Sequence, residues 1–321
     1  SSRSNNMAQS DYFDIVNDVN TLNAYRGDTP LQDTRSLLQS GRVNFVLTIP
    51  SGFSKAWVRG EKPSLLLEAD ATDPAAAAMA VAQIKPIVDR TLADIQIGSL
   101  DYLKPKPSSI TTLVHNKYNP EGISQFNIVP GLLGVILTMT MVMITSIAMT
   151  REAERGTMEN LLAMPSKPLE VMIGKITPYV LMGLVQTMII LLASNMLFHL
   201  PFVGSGSTFG LGVGLFILAN LAIGFTFSTI AKSQMQAMQL TFFFFLPSML
   251  LSGFMFPFQG MPKWAQYLGE ILPLTHFLRI VRGIMLKGTS LSLLSNEFLA
   301  LLAILIIVGI IAMLRYRQTL D

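Results

Sequence analysis

From Ile176 to Ala231 the chain runs 56 residues without a charged side chain, and a second uncharged stretch extends from Gly122 to Thr150. Roughly 20 apolar residues are enough for a helix to cross a bilayer. These runs predict an α-helical polytopic membrane protein. The composition agrees, at 50% hydrophobic, 13% charged and a mean hydropathy of +0.48.

About five spans are expected, near 126–149, 176–198, 210–231, 238–257 and 298–314. Their direction follows from Lys and Arg in the short loops. The 150–175 loop holds Arg151, Arg155, Lys167 and Lys175, the turn after the third span holds Lys232, and the tail holds Arg315 and Arg317. That side is read as cytoplasmic. The opposite 199–209 loop has no Lys or Arg, although the longer 258–297 connection carries Lys263, Arg279, Arg282 and Lys287.

Residues 1–124 hold 12 of the 23 basic and 13 of the 20 acidic side chains, so a nearly neutral, soluble-looking head precedes a membrane body. An odd number of spans ending in the cytoplasm puts this head outside. The opening SSRSNNMAQS has neither the basic start nor the apolar run of a signal peptide. The expectation is therefore a further transmembrane helix before Ser1, six spans in all, and an external α/β domain over 1–124 preceding a transmembrane domain over 125–321.

Within the head, Val43, Phe45, Leu47 and Ile49 alternate as in a half-buried strand ended by Pro50. Further strands are expected at 64–68 and near 110–116, with a helix at 31–40 stopped by Gly41. Asp73 before Pro74 is a helix start, the carboxylate capping free amides and the proline fitting the first turn; a kink is expected near Pro86. Asp70 and Asp73 suggest a cation site only weakly, since capping accounts for Asp73, and no metal site is expected. Lys104 to Pro107 reads as an extended linker.

The chain has no cysteine, which removes thiolate chemistry and disulfides, and the near-neutral head lacks the basic patches of a nucleic-acid surface. It has no G-x-x-x-x-G-K-[ST] loop, so it does not bind ATP by that device. No G-x-S-x-G or H-E-x-x-H is present, no Asp or Glu falls within the five spans as placed, and His115, His199 and His276 are scattered, leaving little for an intramembrane enzyme. Gly210, Gly212 and Gly214 are read as close helix packing.

Between Thr150 and Lys175 the two apolar stretches are joined by a charged insert. Met158, Leu161 and Leu162 fall on one helical stripe, and Glu152, Arg155 and Glu159 on another. An amphipathic interfacial helix is expected there, closed by Pro165 and Pro168, with Gly174 leading into the next span. A solvated loop is the alternative from physics alone.

The run ERGTMENLLAMPSKPLEVMIGKITPYVLMG, residues 154–183, resembles the cytoplasmic coupling segment of type-2 ABC export permeases, a group that includes multidrug and polysaccharide exporters. LPLTHFLRIVRGIMLKG, residues 272–288, looks like that family's segment before the last span. LLQSGRVNFVLTIPSGFSKAWVRGEKP, residues 37–63, is similar to the external domain of its large-insert subgroup. The resemblance implies a permease subunit that dimerises, with a second copy or a paralogue, and binds two cytoplasmic ABC ATPase subunits. ATP would be bound by those partners and no cofactor by this chain. A periplasmic adaptor is a further expected partner. The ATPase-coupling positions it implies are Glu152, Arg155, Gly156, Thr157, Glu159, Leu161 and Pro165.

A substrate path is expected from the polar residues Gln186, Asn195 and Asn220 and from Phe243 in the aromatic run 242–245, although helix packing and lipid contact are the simpler uses of each. Leu274, Phe277, Leu278, Val281 and Met285 form an apolar helical stripe, with Trp264 and Tyr267 suited to an interface. The 258–297 segment is read as re-entrant or interfacial helices closing the exit, an external gate built on Pro273, His276, Arg279 and Arg282. Snorkelling to headgroups is the simplest account of the two arginines. The cargo is expected to be hydrophobic or amphipathic. A non-transporting receptor or mechanical transducer coupled to an ATPase is the alternative.

Overall fold

The computed structural model describes residues 36–41, 43–48, 53, 56, 59, 64–75, 77–78, 81–82, 86, 111–155 and 168–318. The chain divides into two compact units, Ser1–Ile123 and Ser124–Asp321.

The first unit contains a three-stranded sheet in the order β1 (Phe45–Thr48), β2 (Ser64–Asp70), β3 (Thr111–Lys117). Strand β1 pairs antiparallel to β2 with Leu47 opposite Leu67, and β2 pairs parallel to β3 with Leu66 opposite Leu113. Along β2 the period of two is visible: Leu65, Leu67 and Ala69 are buried while Ser64, Leu66 and Glu68 are only partly covered. Glu68 reaches Lys117 at 2.8 Å. A parallel pair needs a crossover, and the connection from β2 to β3 opens with a turn and a helix start. Asp70 Oδ1 accepts from the Thr72 amide (3.1 Å) and hydroxyl (2.8 Å), and Asp73 Oδ1 accepts from the Ala75 amide at 3.1 Å as Pro74 enters a helical turn. Both aspartates are thus engaged by the local chain. Residues 36–39 and Pro86 are helical, whereas the neighbours of Pro86 and the stretch 104–107 lie outside the described residues.

The second unit is helical. Its elements are α1 (Ser124–Glu154), α2 (Pro168–Phe198), α3 (Gly206–Ile230), α4 (Gln234–Leu251), α5 (Lys263–Glu270), α6 (Pro273–Lys287) and α7 (Ser295–Gln318). Among the described residues four helices are long and apolar enough to cross a membrane, within α1, α2, α3 and α7. The expected span at 238–257 is placed differently. Helix α4 begins earlier, where the Ser233 hydroxyl accepts from the Gln236 amide at 3.3 Å, and stops at Leu251 because Gly253 takes a positive φ of 86°. Its 18 residues reach about 27 Å, and three glutamines in its first two turns lower its hydropathy. Pro168 also differs from expectation: it opens α2 instead of closing the insert, as a proline in a first turn is free to do.

Helix α3 is the central post. Two-thirds of its apolar window is buried, against about one-sixth for α2 and α7, whose outer faces present Leu181, Val185, Met188, Ile189, Ile306 and Ile307. Small residues let the backbones close. A Cβ on Gly224 of α3 would lie 2.6 Å from the Val142 carbonyl and 3.0 Å from Thr145 Cβ of α1, and one on Gly183 of α2 would strike Ile217 and Met141. Gly212 packs on Ile280 and Phe298, but Gly210 and Gly214 have nothing within 4 Å, so only the middle glycine of the three serves close packing.

These contacts fix directions. Gly134 of α1 faces Leu274 and Phe277 of α6, and Gly131 faces Phe254, while at the other end Met149, Phe225 and Ala312 cluster. Helices α1, α3 and α7 therefore run one way and α2 and α4 the other. Arg151, Lys175, Lys232 and Arg315 gather at one end; α5 and α6 lie at the opposite end.

Candidate functional site

Two charged junctions stand out, one at each end of the helical unit. At the first, α1 ends and α2 begins. Glu152 pairs with Lys175, joining α1 to α2 on either side of the charged insert. One turn-half further, Glu154 accepts from the backbone amide of Gln234 (2.9 Å) and from its Nε2 (2.6 Å) at the start of α4. A carboxylate on the free amides of a helix N-terminus is well placed against the helix dipole. The Gln234 side chain, then its backbone amide, hold the Glu154 carboxyl below its ordinary value. Three helix ends are thereby pinned around the insert. Arg155 closes α1 with its amide on the Arg151 carbonyl (3.2 Å) and its side chain exposed. Gly156, Thr157, Glu159, Leu161 and Pro165 lie outside the described residues, as does the stripe of Met158, Leu161 and Leu162.

At the second junction, Pro273 occupies the first turn of α6, and Gly288 ends it in the left-handed region, with its amide on the Ile284 carbonyl and the Thr289 amide on that of Gly283. Leu274, Phe277, Leu278, Val281 and Met285 are all buried, as the apolar stripe predicts. Phe277 stacks on Phe216 of α3, centroids 3.9 Å apart. This packing sets α6 against the central post and turns its polar edge toward α5 and α7.

On that edge His276 Nδ1 lies 2.6 Å from Glu297 Oε2 of α7, and Nε2 lies 2.9 Å from the Glu270 carbonyl. Arg279 bridges both acids, at 2.5 and 3.1 Å to Glu270 and 3.3 Å to Glu297, and sits 4.7 Å over the Phe258 ring. Burial alone would depress the His276 imidazole. The hydrogen bond to Glu297, the Glu270 carbonyl and the charge of Glu297 outweigh both burial and the nearby Arg279, and hold it above its ordinary value. Arg282 donates to the Gly253 carbonyl at 3.2 Å.

The snorkelling account of the two arginines is thus corrected. Arg279 turns toward Glu270 and toward Glu297, which the first turn of α7 delivers to the α6 edge, and Arg282 turns to the Gly253 carbonyl after α4. The span was also expected to be free of acids, but the helix starts three residues earlier than its apolar run and includes Glu297. Neither Glu270 nor Glu297, nor Glu154 and Gln234 at the other end, was singled out from the sequence. Their signal was present only as three acids and a glutamine close to helix boundaries.

The four path residues have four different surroundings. Gln186 Oε1 meets the Thr140 hydroxyl at 2.9 Å across α1 and α2; Asn195 is exposed; Asn220 is fully buried in α3 with Nδ2 on the Phe216 carbonyl (2.8 Å); Phe243 is 76% exposed on α4. Among the described residues no hydrogen bond joins any two of them.

A helical polytopic unit, with a charged insert between its first two helices and an amphipathic helix before its last, defines a membrane permease body. The family described as ABC-2 family transporter protein matches residues 4–314, and the chain belongs to it. It is similar to the probable multidrug ABC transporter permease YbhR of Escherichia coli strain K12, 30% identical over 287 residues covering 89% of this chain and 77% of that protein. It is likewise similar to the inner membrane transport permease YhhJ of the same organism, 32% identical over 291 residues, 88% and 75% of the two chains. A more distant likeness is to ABC transporter G family member 20 of Dictyostelium discoideum, 27% identical over 215 residues, 65% of this chain and 29% of that one. No solved structure matches.

Proposed function

We propose that this chain is the membrane subunit of an ATP-driven exporter of the bacterial inner membrane, with the 150–175 segment as the element on which separate cytoplasmic ATPase subunits act. The observation that carries this reading is the pinning of three helix ends around that segment by Glu152–Lys175 and Glu154–Gln234. A push on the insert then reaches α1, α2 and α4 together. Arg151, Lys175, Lys232 and Arg315 at this end support a cytoplasmic placement, which puts α5, α6 and the strand-bearing unit outside. The inner-membrane and multidrug wording of the relatives' names supports the compartment and a hydrophobic or amphipathic cargo. Two copies, or one with a paralogue, would form the pathway, and the exposed apolar faces of α2 and α7 supply surface for lipid and for that partner.

The testing experiment reverses one charge of the insert. In vesicles with the partner ATPase, Arg155→Glu is expected to leave insertion and dimer mass unchanged while ATP hydrolysis no longer drives transport. Unimpaired transport by this variant would count against the coupling role, and a purified complex without any ATPase would favour a stand-alone receptor.

A further inference from the structure

The His276 ring has an acceptor at each nitrogen. Nε2 faces the Glu270 backbone carbonyl, which can only accept, and so must carry a proton. Nδ1 faces a carboxylate oxygen of Glu297 at 2.6 Å, and two bare acceptors at that distance would repel. The contact exists only if a second proton lies between them, on the ring or on the carboxyl. The surrounding charges are Glu270, whose Oε2 is 3.8 Å from Nε2, and Arg279 on the same helix. Helices α1, α3 and α4 bring no charge to this end, since those of α1 are confined to residues 151–154 and α3 and α4 have none.

From this geometry we infer that His276 and Glu297 form a proton-binding site, whose bound proton latches the α5–α6 pair to the first turn of α7. The proton bridges the elements mechanically. Helix α7 touches the polar edge of α6 through Glu297, while α5 is held through Glu270 by the same imidazole and by Arg279. Removing the proton leaves a neutral imidazole with one N–H for two acceptors, so the ring can no longer hold Glu297 and the Glu270 carbonyl together and one arm of the bridge opens. Arg279 still tethers both acids, so the response is a loosening of the α5–α6 pair and not its loss. The sign follows: the latch is complete in acid and released as pH rises. The site needs no ATPase and holds whether or not the chain exports anything.

The test uses the full chain in lipid nanodiscs with isotope-labelled histidine. Only three histidines are present, and His115→Gln and His199→Gln, both at exposed positions, assign the His276 resonance without touching the cluster. His276 is expected to stay doubly protonated past the ordinary imidazole midpoint of about 6.5, and Glu297→Gln to lower its proton affinity at least about tenfold. Because the chain has no cysteine, spin labels at Tyr267→Cys on α5 and Leu299→Cys on α7 report the latch. One narrow distance at about pH 6, broadening at about pH 9, is expected, with the broadening lost in Glu297→Gln. A His276 midpoint at or below the ordinary value, or a label distance indifferent to pH, would overturn the inference.

Discussion

At one end of the helical unit Lys175, 17% exposed, meets Glu152 at 35%, whereas at the other His276, 6% exposed, meets Glu297 at 23% beside an Arg279–Glu270 pair open to water at its rim. The first junction rests on contacts between helix ends, with Glu154 on Gln234 in the open; the second gathers side chains of α5, α6 and α7 around one deeply buried group, His276. Exposed ion pairs contribute little to stability and reform readily. A buried pair is a different object: removing one partner strands a charge away from water. Under the proposed coupling role the first end is the one that releases and remakes contacts, and under the proton-latch inference the second keeps its shape until a specific proton leaves.

Breaking the buried end should have the largest effect. Arg279→Ala removes the contacts to Glu270 and Glu297 and the Phe258 stacking, and leaves two acids with one imidazole. A loss of about 2–3 kcal/mol is expected, read as a fall in thermal unfolding temperature in nanodiscs, with Trp264 becoming more accessible to a quencher. If Arg279→Ala is neutral, the two ends do not differ in the way their burial indicates.

The core between the ends comes next. Gly224→Val would drive side-chain atoms into the Val142 carbonyl and Thr145, for a cost of about 1–3 kcal/mol in the same assay. Gly214→Ala, with open space around it, should change little and is the matched control.

Stability against pH sharpens the comparison further. His276 is held above its ordinary value, so its contribution is fully present below about pH 6.5 and declines as pH rises through the raised value. Unfolding temperature should therefore fall on the alkaline side, and His276→Gln should flatten that slope.

The smallest effect belongs to the insert end. Glu154→Ala and Lys175→Ala should each leave the unfolding temperature nearly unchanged, yet lower transport per ATP hydrolysed if the insert drives the helices. Equal loss of stability at both ends would erase the distinction.

Much of this was legible in the chain itself. Uncharged runs located four apolar helices because hydrocarbon excludes charge over a known thickness, and the 3.6-residue stripe of Leu274, Phe277, Leu278, Val281 and Met285 predicted the buried face of α6. Asp73 with Pro74 marked a helix start because cap and first turn are local chemistry. Strand β1 was visible through the alternation of Val43, Phe45, Leu47 and Ile49. The sites were less legible. Arg279 and Arg282 read as surface charges, since periodicity places a side chain on a helix face but says nothing of which neighbour approaches that face.

What the amino-acid order determined alone is the membrane body, the position of the charged insert and the amphipathic helix before the last span, all governed by interactions within a few residues or with solvent and lipid. Tertiary structure alone decided that Glu297, 21 residues from His276, would share a proton with it, and that Glu154, 80 residues from Gln234, would cap its helix. Those pairings depend on which helices run parallel and how closely glycines let them approach. Such distances are set by packing, and no local pattern in the chain records them.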